Sequence, residues 1–375
     1  MNRRAQIQVT FNWVFILIAG AVILLFFIGI VVKQKDISEQ RLNEDVVRVM
    51  GSIFTGAGVS EKTKHEIPTS GLADYTFYFN CEEGVSYYGI KGQPSRIEDE
   101  IMPMFSPREI KTTKMLTLSL PYKMPYKTAD LLFVTSENTQ YYLTGSGDGF
   151  WEEFTNSTEG FNVEYVPSVN LADVNPGMNY QVRIIDLDGN KVLDGGSVPE
   201  NLLRYDDDKV TAVSFVAAQM VDYFIKDDNL WKKTNINHVP IISLGGERDA
   251  AKYAAIFAAD DKLYNCNMQK AFQRLEYVTR IYGGSEIIRG ETLGKLQRIL
   301  EYYEIIHQEF QYTRPECIGN LKTFPQGNMV DALTVHQNRV VACLIDQTKC
   351  PDLTISAQKV EEINENLELN CIPLY

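Results

Sequence analysis

Histidine is scarce in this sequence, and the catalytic patterns that depend on it are missing. Four histidines occur in 375 residues, and none forms an HExxH or HxH pair or accompanies a GxSxG segment. These are the patterns of zinc proteases and of hydrolases with a serine nucleophile. Closely spaced CxxC pairs, which hold structural zinc, are missing as well. The sequence therefore excludes several enzyme classes and indicates no particular reaction.

A surplus of positive charge is also missing. Asp and Glu number 49 against 36 Lys and Arg, which gives a formal net charge of −13 at pH 7. Nucleic-acid-binding proteins are typically basic, so we expect no nucleic-acid partner. Hydrophobic residues make up 45% and charged residues 23% of the chain, which is typical of globular proteins. A chain of this length has room for two or three folded units.

One stretch near the N-terminus has no charge at all. No charged residue lies between Ala5 and Val32, and residues 11–32 contain a single strongly polar side chain. A helix of 22 residues is about 33 Å long, enough to cross a hydrocarbon core of about 30 Å. A cleaved secretory signal, the alternative, has a shorter apolar region that ends in small residues. We predict a retained transmembrane helix over 11–32, with residues 1–10 as a short cytoplasmic N-terminus.

The orientation of this helix depends on weaker signals. Arg3 and Arg4 precede the apolar segment, and Lys33 and Lys35 follow it, so the positive-inside rule is nearly balanced. A glycosylation sequon at Asn156 and an even number of cysteines favour an extracytoplasmic, oxidising compartment for the rest of the chain. We predict a single-pass protein of the cell membrane, with the N-terminus cytoplasmic and the bulk of the chain outside.

The residues before the apolar segment resemble a known processing signal. The run Arg3-Arg4-Ala5-Gln6, followed at once by a long apolar helix, is similar to the class III signal of archaeal type IV pilin-like proteins. The resemblance covers residues 1–35. It implies cleavage by a prepilin peptidase between Ala5 and Gln6, after which the apolar segment becomes the stem that packs in a filament. The wider chain resembles uncharacterised membrane-anchored archaeal surface proteins, and a plain signal anchor is the alternative to a processed pilin.

The apolar segment is predicted to continue into a stem. Residues 33–58 read as an amphipathic helix and linker, in which Leu42, Val46, Val49 and Ile53 recur at steps of four, three and four. Such a stripe either packs against the protein's own head or joins two copies of the chain. Both interpretations stay open at this point.

The remaining chain is predicted to form a mixed head of the α+β or α/β class, β-rich first and helix-rich later. We expect a β-rich domain over 59–145, a mixed domain over 146–320 and a cysteine-containing segment, rich in loops, over 321–375. Strands are predicted over 75–81, 85–90, 115–120, 131–135, 140–143, 161–166, 180–187 and 238–244. Hairpin turns are expected at 82–84 and 188–190. Helices are predicted over 210–225, 248–258, 268–282, 291–311 and 357–367.

Six cysteines are spread along the head. They are Cys81, Cys266, Cys317, Cys343, Cys350 and Cys371. Disulfide bonds are the favoured interpretation, buried free thiols are the alternative, and the wide spacing disfavours a metal site. We expect the pairs Cys343–Cys350 and Cys317–Cys371.

A double-glycine turn is the one candidate for a ligand pocket. Gly245, Gly246, Glu247 and Arg248 lie between a predicted strand and a predicted helix, in the outline of a phosphate-binding turn. The turn lacks the Lys-Ser/Thr pair of a P-loop and the GxGxxG spacing of dinucleotide-binding folds. An ordinary connection explains it as well, and we predict no cofactor and no catalytic residue.

Two acidic runs resemble cation sites only superficially. The segment 186–190 begins like a calcium loop, but Lys191 and Ser197 stand where such a loop needs glycine and a bidentate carboxylate. A tight hairpin turn is the better interpretation. The run 206–208 is expected to be the solvated start of a helix. No metal site is predicted.

Together these features favour a membrane-anchored surface protein whose acidic head serves a binding or scaffolding role. Its expected partners are membrane lipid and either a second protein or another copy, reached through the stem helix. A minor pilin-like or filament-tip subunit is one alternative. A membrane-anchored enzyme of unknown chemistry, with its pocket at the double-glycine turn, is the other.

Overall fold

The structure is a computed structural model of the 375-residue chain. It describes residues 41–60, 63–145, 149–166, 174, 176–177, 181–217, 219–283, 294–310, 315–323 and 328–375. The predicted transmembrane segment 11–32 lies outside these ranges. Among the helices that are described, none combines the length and the hydropathy that crossing a bilayer requires.

Strands dominate the first part of the described chain and helices the second. The strands are β1 (Lys64–Pro68), β2 (Phe77–Glu82), β3 (Val85–Ile90), β4 (Arg96–Asp99), β5 (Met104–Phe105), β6 (Glu109–Ile110), β7 (Lys114–Lys123), β8 (Lys127–Ser136), β9 (Thr139–Thr144), β10 (Asn162–Val166), β11 (Gln181–Asp186), β12 (Val210–Ala217), β13 (Met220–Asp227), β14 (Leu230–Lys233) and β15 (Val239–Pro240). The helices are α1 (41–58), α2 (Phe150–Ser157), α3 (Ala250–Phe257), α4 (Asp261–Gly283), α5 (Lys295–Phe310), α6 (Pro315–Ile318), α7 (Met329–Ile345) and α8 (Asp352–Glu368).

The strands form three sheets. Sheet 1 is antiparallel, in the order β4-β3-β2-β6. Sheet 2 has the order β1-β7-β8-β5, in which only β5 and β8 are parallel. Sheet 3 has the order β10-β9-β11-β12-β13-β14, with β15 also on β13; its first four strands are parallel and the others antiparallel. The head is therefore a mixed α+β fold, as the sequence predicted.

Several local predictions are confirmed. The strands expected between residues 75 and 187 are present, and β2 and β3 form the predicted hairpin. Glu83 and Gly84 make its turn with left-handed φ angles of 50° and 80°, the backbone that suits the twist of a two-residue hairpin. The helices predicted at 248–258, 268–282 and 291–311 correspond to α3, α4 and α5.

The helix predicted over 210–225 is wrong, because this segment is the antiparallel hairpin β12–β13. Sheet 3 is buried on both faces, so Val210 and Val213 point into different cores and both are fully buried. A strand that is buried on both faces shows a continuous apolar run, which periodicity cannot distinguish from a buried helix. The acidic run before it forms a short 3-10 turn at Asp207–Lys209.

Three further predictions also need correction. Strand β11 does not continue through 188–190 into a hairpin, since it pairs in parallel with β9 and β12. The strand expected over 238–244 is paired only at Val239–Pro240. Within 321–375, expected to be rich in loops, the described residues contain α7, which was not predicted, and α8, which confirms the helix predicted over 357–367.

The stem helix α1 packs on the head through a stripe one residue away from the predicted one. The buried apolar side chains of this stripe are Val47, Met50, Phe54 and Ala57. Phe54 lies against Phe79 and Tyr88 of sheet 1, with ring centroids 6.1 Å and 5.4 Å apart. Of the predicted stripe, Val46 and Ile53 are half-buried against the same core, whereas Leu42 and Val49 are 53% and 58% exposed. The helix is apolar over a wide arc, so its sequence alone does not show which of two neighbouring stripes faces the core.

All six cysteines are paired. The disulfides are Cys81–Cys266, Cys317–Cys371 and Cys343–Cys350. The prediction of disulfide bonds is therefore confirmed, including the two pairs that the sequence suggested. Cys81–Cys266 joins sheet 1 to α4.

A buried polar network reinforces the joint between sheet 1 and α4. Lys270 of α4 is 1% exposed and donates to Ser86 Oγ and to the carbonyl of Asp99, both at 2.6 Å. Asn267, one turn earlier, accepts from Ser86 Oγ and from the amide of Met104, both at 3.0 Å. Burial lowers the pKa of Lys270 to about 8. Sheet 1 is thus held on α4 by a covalent bond and by satisfied hydrogen bonds.

The packing of α1 predicts the effect of two substitutions. Phe54→Ala should lower the free energy of unfolding by about 3–5 kcal/mol, because it leaves a cavity among aromatic rings. Val49→Ala, on the exposed stripe, should change it by less than about 0.5 kcal/mol. Guanidinium titration of the full-length protein in lipid nanodiscs, followed by circular dichroism, measures both. Equal effects would show that α1 does not pack in this register.

Loop length predicts that the disulfides contribute unequally. Cys81–Cys266 spans 185 residues and Cys343–Cys350 spans 7. In the chain-entropy account, replacing the first pair by alanines should therefore destabilise the protein by about 3 kcal/mol more than replacing the second. The same titration on the two double variants tests this. A smaller loss for the long-range pair than for the short one contradicts the expectation.

Candidate functional site

The double-glycine turn lies at the N-terminal end of α3 and borders a cavity of about 450 Å³. The backbone is left-handed at Gly245, Gly246 and Arg248, with φ angles of 80°, 102° and 54°. Asp249 is the N-cap of α3, and its Oδ1 accepts from the amide of Ala251 at 3.1 Å. The four residues of the predicted pocket are therefore brought together as one strained turn before a helix.

Polar side chains from three parts of the chain line this first cavity. They include Lys123, Ser243, Glu247, Arg248, Asp249 and Glu361. Burial raises the pKa of the Asp249 carboxyl, and burial together with Glu365 raises the pKa of Glu361. Carboxyl groups with a raised pKa in a cleft can serve acid–base chemistry. Asp249 is already engaged as a helix cap, however, and that role accounts for its burial.

A second and larger cavity, of about 670 Å³, lies at the C-terminal end of α3. The strand register places four side chains of its floor in one row across sheet 3: Tyr141, Arg183, Thr211 and Ile225. The next row belongs to the main core beneath α3: Leu143, Ile185, Val213 and Tyr223. Helix α3 has eight residues and is about 12 Å long, so it ends before it covers the outer row.

Arg183 is the central residue of this floor and is 5% exposed. Its guanidinium donates to four backbone carbonyls at the end of α3: Ile256 (3.2 Å), Ala259 (3.3 Å), Ala258 (2.7 Å) and Ala255 (3.5 Å). The last carbonyls of a helix have no partner within it, so Arg183 caps α3 from the side. Burial lowers the pKa of the guanidinium. None of its described hydrogen-bond partners is a carboxylate.

Ion pairs hold the walls of the second cavity. Arg108 contacts Asp260 through Nε at 2.7 Å and Nη2 at 2.6 Å, which joins the segment before β6 to the start of α4. Lys226, 4% exposed, pairs with Asp207 and donates to the carbonyl of Tyr205 at 2.9 Å. These contacts fix the mouth of the cavity between elements that are far apart in sequence.

Ligands of α/β folds usually bind at the C-terminal ends of the parallel strands. In sheet 3 this end of β11 is occupied by hydrogen bonds within the protein. Asp186 is fully buried, and its carboxylate accepts from the amides of Gly189, Lys191 and Val192 and from Ser214 Oγ, at 2.8–3.1 Å. The segment that resembled a calcium loop is therefore a turn around a carboxylate that already has four donors. Within the described chain, no group of three or more His, Cys, Asp or Glu is arranged to hold a metal ion.

The buried histidine has a structural environment. His336 Nε2 lies 3.2 Å from the carbonyl of Met124, and Nδ1 lies 2.9 Å from Ser356 Oγ. Because a carbonyl only accepts, Nε2 carries a proton, and burial favours the neutral form of the imidazole. Burial lowers the pKa of His336 to about 4.

The other predicted sites are scattered. Asn156 of the sequon is exposed at the end of α2, whereas Ala5 and Gln6 lie outside the described residues. Arg183 was not predicted as a site residue, although one signal was present. It is a charged residue between Val182 and Ile184 in a strand that ends at Asp186, and such a charge must find partners when the strand is buried.

Comparison of the chain with protein-family models, with curated proteins and with solved structures finds no match.

The environment of His336 predicts acid sensitivity. In the folded protein the pKa of His336 is about 4, below the ordinary histidine value of 6.5. The unfolded state therefore binds the proton first, and stability is lost as pH falls from 6.5 towards 4, by about 3 kcal/mol in total. His336→Gln should remove about 2 kcal/mol of the difference in unfolding free energy between pH 7 and pH 4.5. The exposed His65→Gln serves as the control and should leave that difference unchanged; an equal change in both variants contradicts the assignment.

Proposed function

We propose that this chain is a single-pass membrane-anchored surface protein whose acidic extracytoplasmic head serves a binding role. The observation that carries the proposal is the packing of α1. The described helix begins at residue 41, a few residues after the predicted transmembrane segment 11–32, and its buried stripe lies in the core of the head. An anchor at 11–32 would therefore hold the head close to the bilayer.

The disulfides support the extracytoplasmic location. Three bonds use all six cysteines. Structural disulfides form and persist outside the cytosol and are rare within it. The exposed side chain of Asn156 is compatible with its use as a glycosylation site.

The cavities at the two ends of α3 support binding rather than a purely mechanical role. Each lies within the range of volumes that small-molecule sites have, about 300–1,000 Å³. The larger one combines apolar walls with a few fixed polar groups, the usual composition of such sites.

Membrane fractionation tests the anchor. We expect the full-length protein to sediment with membranes and to resist extraction by alkaline carbonate, with a head that protease digests from outside intact cells. Leu24→Arg combined with Leu25→Arg should release it, because each arginine costs about 2.5 kcal/mol or more at the centre of a membrane helix. Matched substitutions to alanine serve as the control. Wild-type protein in the soluble fraction would overturn the proposal.

A pilin-like subunit is the second candidate, and the exposed stripe of α1 favours it. Leu42 and Val49 lie seven residues apart on a face that the head does not cover, and a seven-residue apolar repeat suits the contact of two helices. Self-association through the stem would bury this stripe. A mature chain beginning at Gln6 is a further expectation of this candidate.

Cross-linking distinguishes the second candidate from a plain anchor. If stems associate, Val49→Cys should form covalent dimers under mild oxidation in native membranes, whereas Glu44→Cys, on the far side of α1, should not. Intact mass of the purified wild-type protein gives the N-terminal residue. Monomeric Val49→Cys protein that begins at Met1 would exclude the pilin-like role and leave the anchored binding protein in place.

A further inference from the structure

The second cavity holds a buried charge that the protein compensates only in part. Arg183 is 5% exposed and its described hydrogen-bond partners are all backbone carbonyls. Burying a cation is costly unless it is paired. The carbonyls at the C-terminal end of α3 supply partial negative charge, equivalent to about half a unit. A full negative charge brought into the cavity would therefore be attracted to this position.

Arg183 also retains a donor. A guanidinium has five N–H groups, and the four carbonyl contacts use at most four. Nη1 contacts only Ala259, at 3.3 Å, so one of its two N–H groups has no acceptor among the described residues. This leaves a hydrogen-bond donor at the floor of an accessible cavity.

The remaining charges of the cavity balance one another. Arg108 is paired with Asp260, and Lys226 with Asp207. Glu109 is paired with Lys91, and Lys209 with Asp206. The other charged residues of the lining are two lysines and two aspartates, whose formal charges cancel: Lys111, Lys262, Asp208 and Asp261. The excess positive charge of the lining is therefore the buried guanidinium.

The rest of the lining is apolar. Ile225 is 37% exposed at the mouth, and Val182, Ile256, Phe257 and Ala258 contribute to the walls. Such walls gain stability when an apolar group displaces water from them. These walls do not stabilise a small, fully hydrated anion, because it has no apolar surface to bury.

We propose that the second cavity binds an organic carboxylate with an apolar body, its carboxylate directed to Arg183 and its body on Ile225 and the neighbouring walls. The carboxylate accepts from the remaining Nη1–H, and the apolar body covers the part of sheet 3 that α3 leaves open. An organic cation meets repulsion from the guanidinium, and a neutral apolar molecule leaves the donor without a partner. This inference gives a ligand class to the proposed binding role, and it does not depend on how the protein is anchored.

Titration with a soluble aromatic acid tests the site. Hydrocinnamate is added to the full-length protein in nanodiscs, with empty nanodiscs as the reference, and binding is followed by ligand-observed NMR. Hydrocinnamide has the same body without the charge, and acetate has the charge without the body. We expect hydrocinnamate to bind at least about tenfold more tightly than either, a difference of about 1.4 kcal/mol.

Variants at the mouth locate the binding. Arg183→Met removes the cap of α3 and is expected to impair folding, so the informative position is the exposed Ile225. Ile225→Glu should weaken hydrocinnamate binding at least about tenfold through like-charge repulsion, whereas Ile225→Lys should retain it. Val216→Glu, equally exposed at the far end of the same sheet, should have no effect.

Two results would overturn the proposal. One is equal or no binding of hydrocinnamate and hydrocinnamide to wild type. The other is hydrocinnamate binding that Ile225→Glu leaves unchanged. Neither result bears on membrane fractionation, so a failed ligand assignment stays distinguishable from a failed anchor.

Discussion

The structure of the head depends on one short helix packed between two sheets. Helix α3 has eight residues, and its alanines are almost fully buried, which lets sheets 2 and 3 approach it from both sides. Phe257 shows how close the layers are, since its ring centroid lies 5.2 Å from Phe133 of β8 and 5.4 Å from Tyr141 of β9. Both cavities follow from the length of this helix. The first opens where α3 begins at Ala250, and the second opens where it ends.

The stem and the main core are connected through sheet 1. One side of this sheet receives Phe54 of α1, and the Cys81–Cys266 disulfide fixes the sheet to α4. Lys270 and Asn267 of α4 supply hydrogen bonds at the same joint. A force or a tilt applied to α1 would thus reach the helices of the head through covalent and buried polar contacts, rather than through a flexible linker.

Much of the fold could be predicted wherever local sequence and burial agree. The hairpin at Glu83 and Gly84 has a glycine in its turn, where the backbone is left-handed, and the even number of cysteines indicated disulfide bonds. Prediction failed where burial on several faces removes the hydrophobic periodicity that distinguishes a strand from a helix or one helix face from another. The run 210–225 is apolar on both faces because sheet 3 lies between two cores, and the head covers only part of the wide apolar arc of α1. In both cases the deciding contact comes from residues distant in sequence.

The candidate site, like the fold, depends on contacts between residues that are distant in sequence. The turn at Gly245 could be singled out because a double glycine is recognisable from the sequence alone, and a cavity does lie there. Arg183 becomes informative only when β11 is placed next to the end of α3, because a buried arginine needs acceptors and the helix end has carbonyls to offer. The contact of Arg183 with the end of α3 therefore gives acceptors to the guanidinium and donors to the last carbonyls of the helix. The same interaction leaves a net positive charge at the floor of a cavity, so the way this fold ends its central helix also sets the electrostatics of the second cavity.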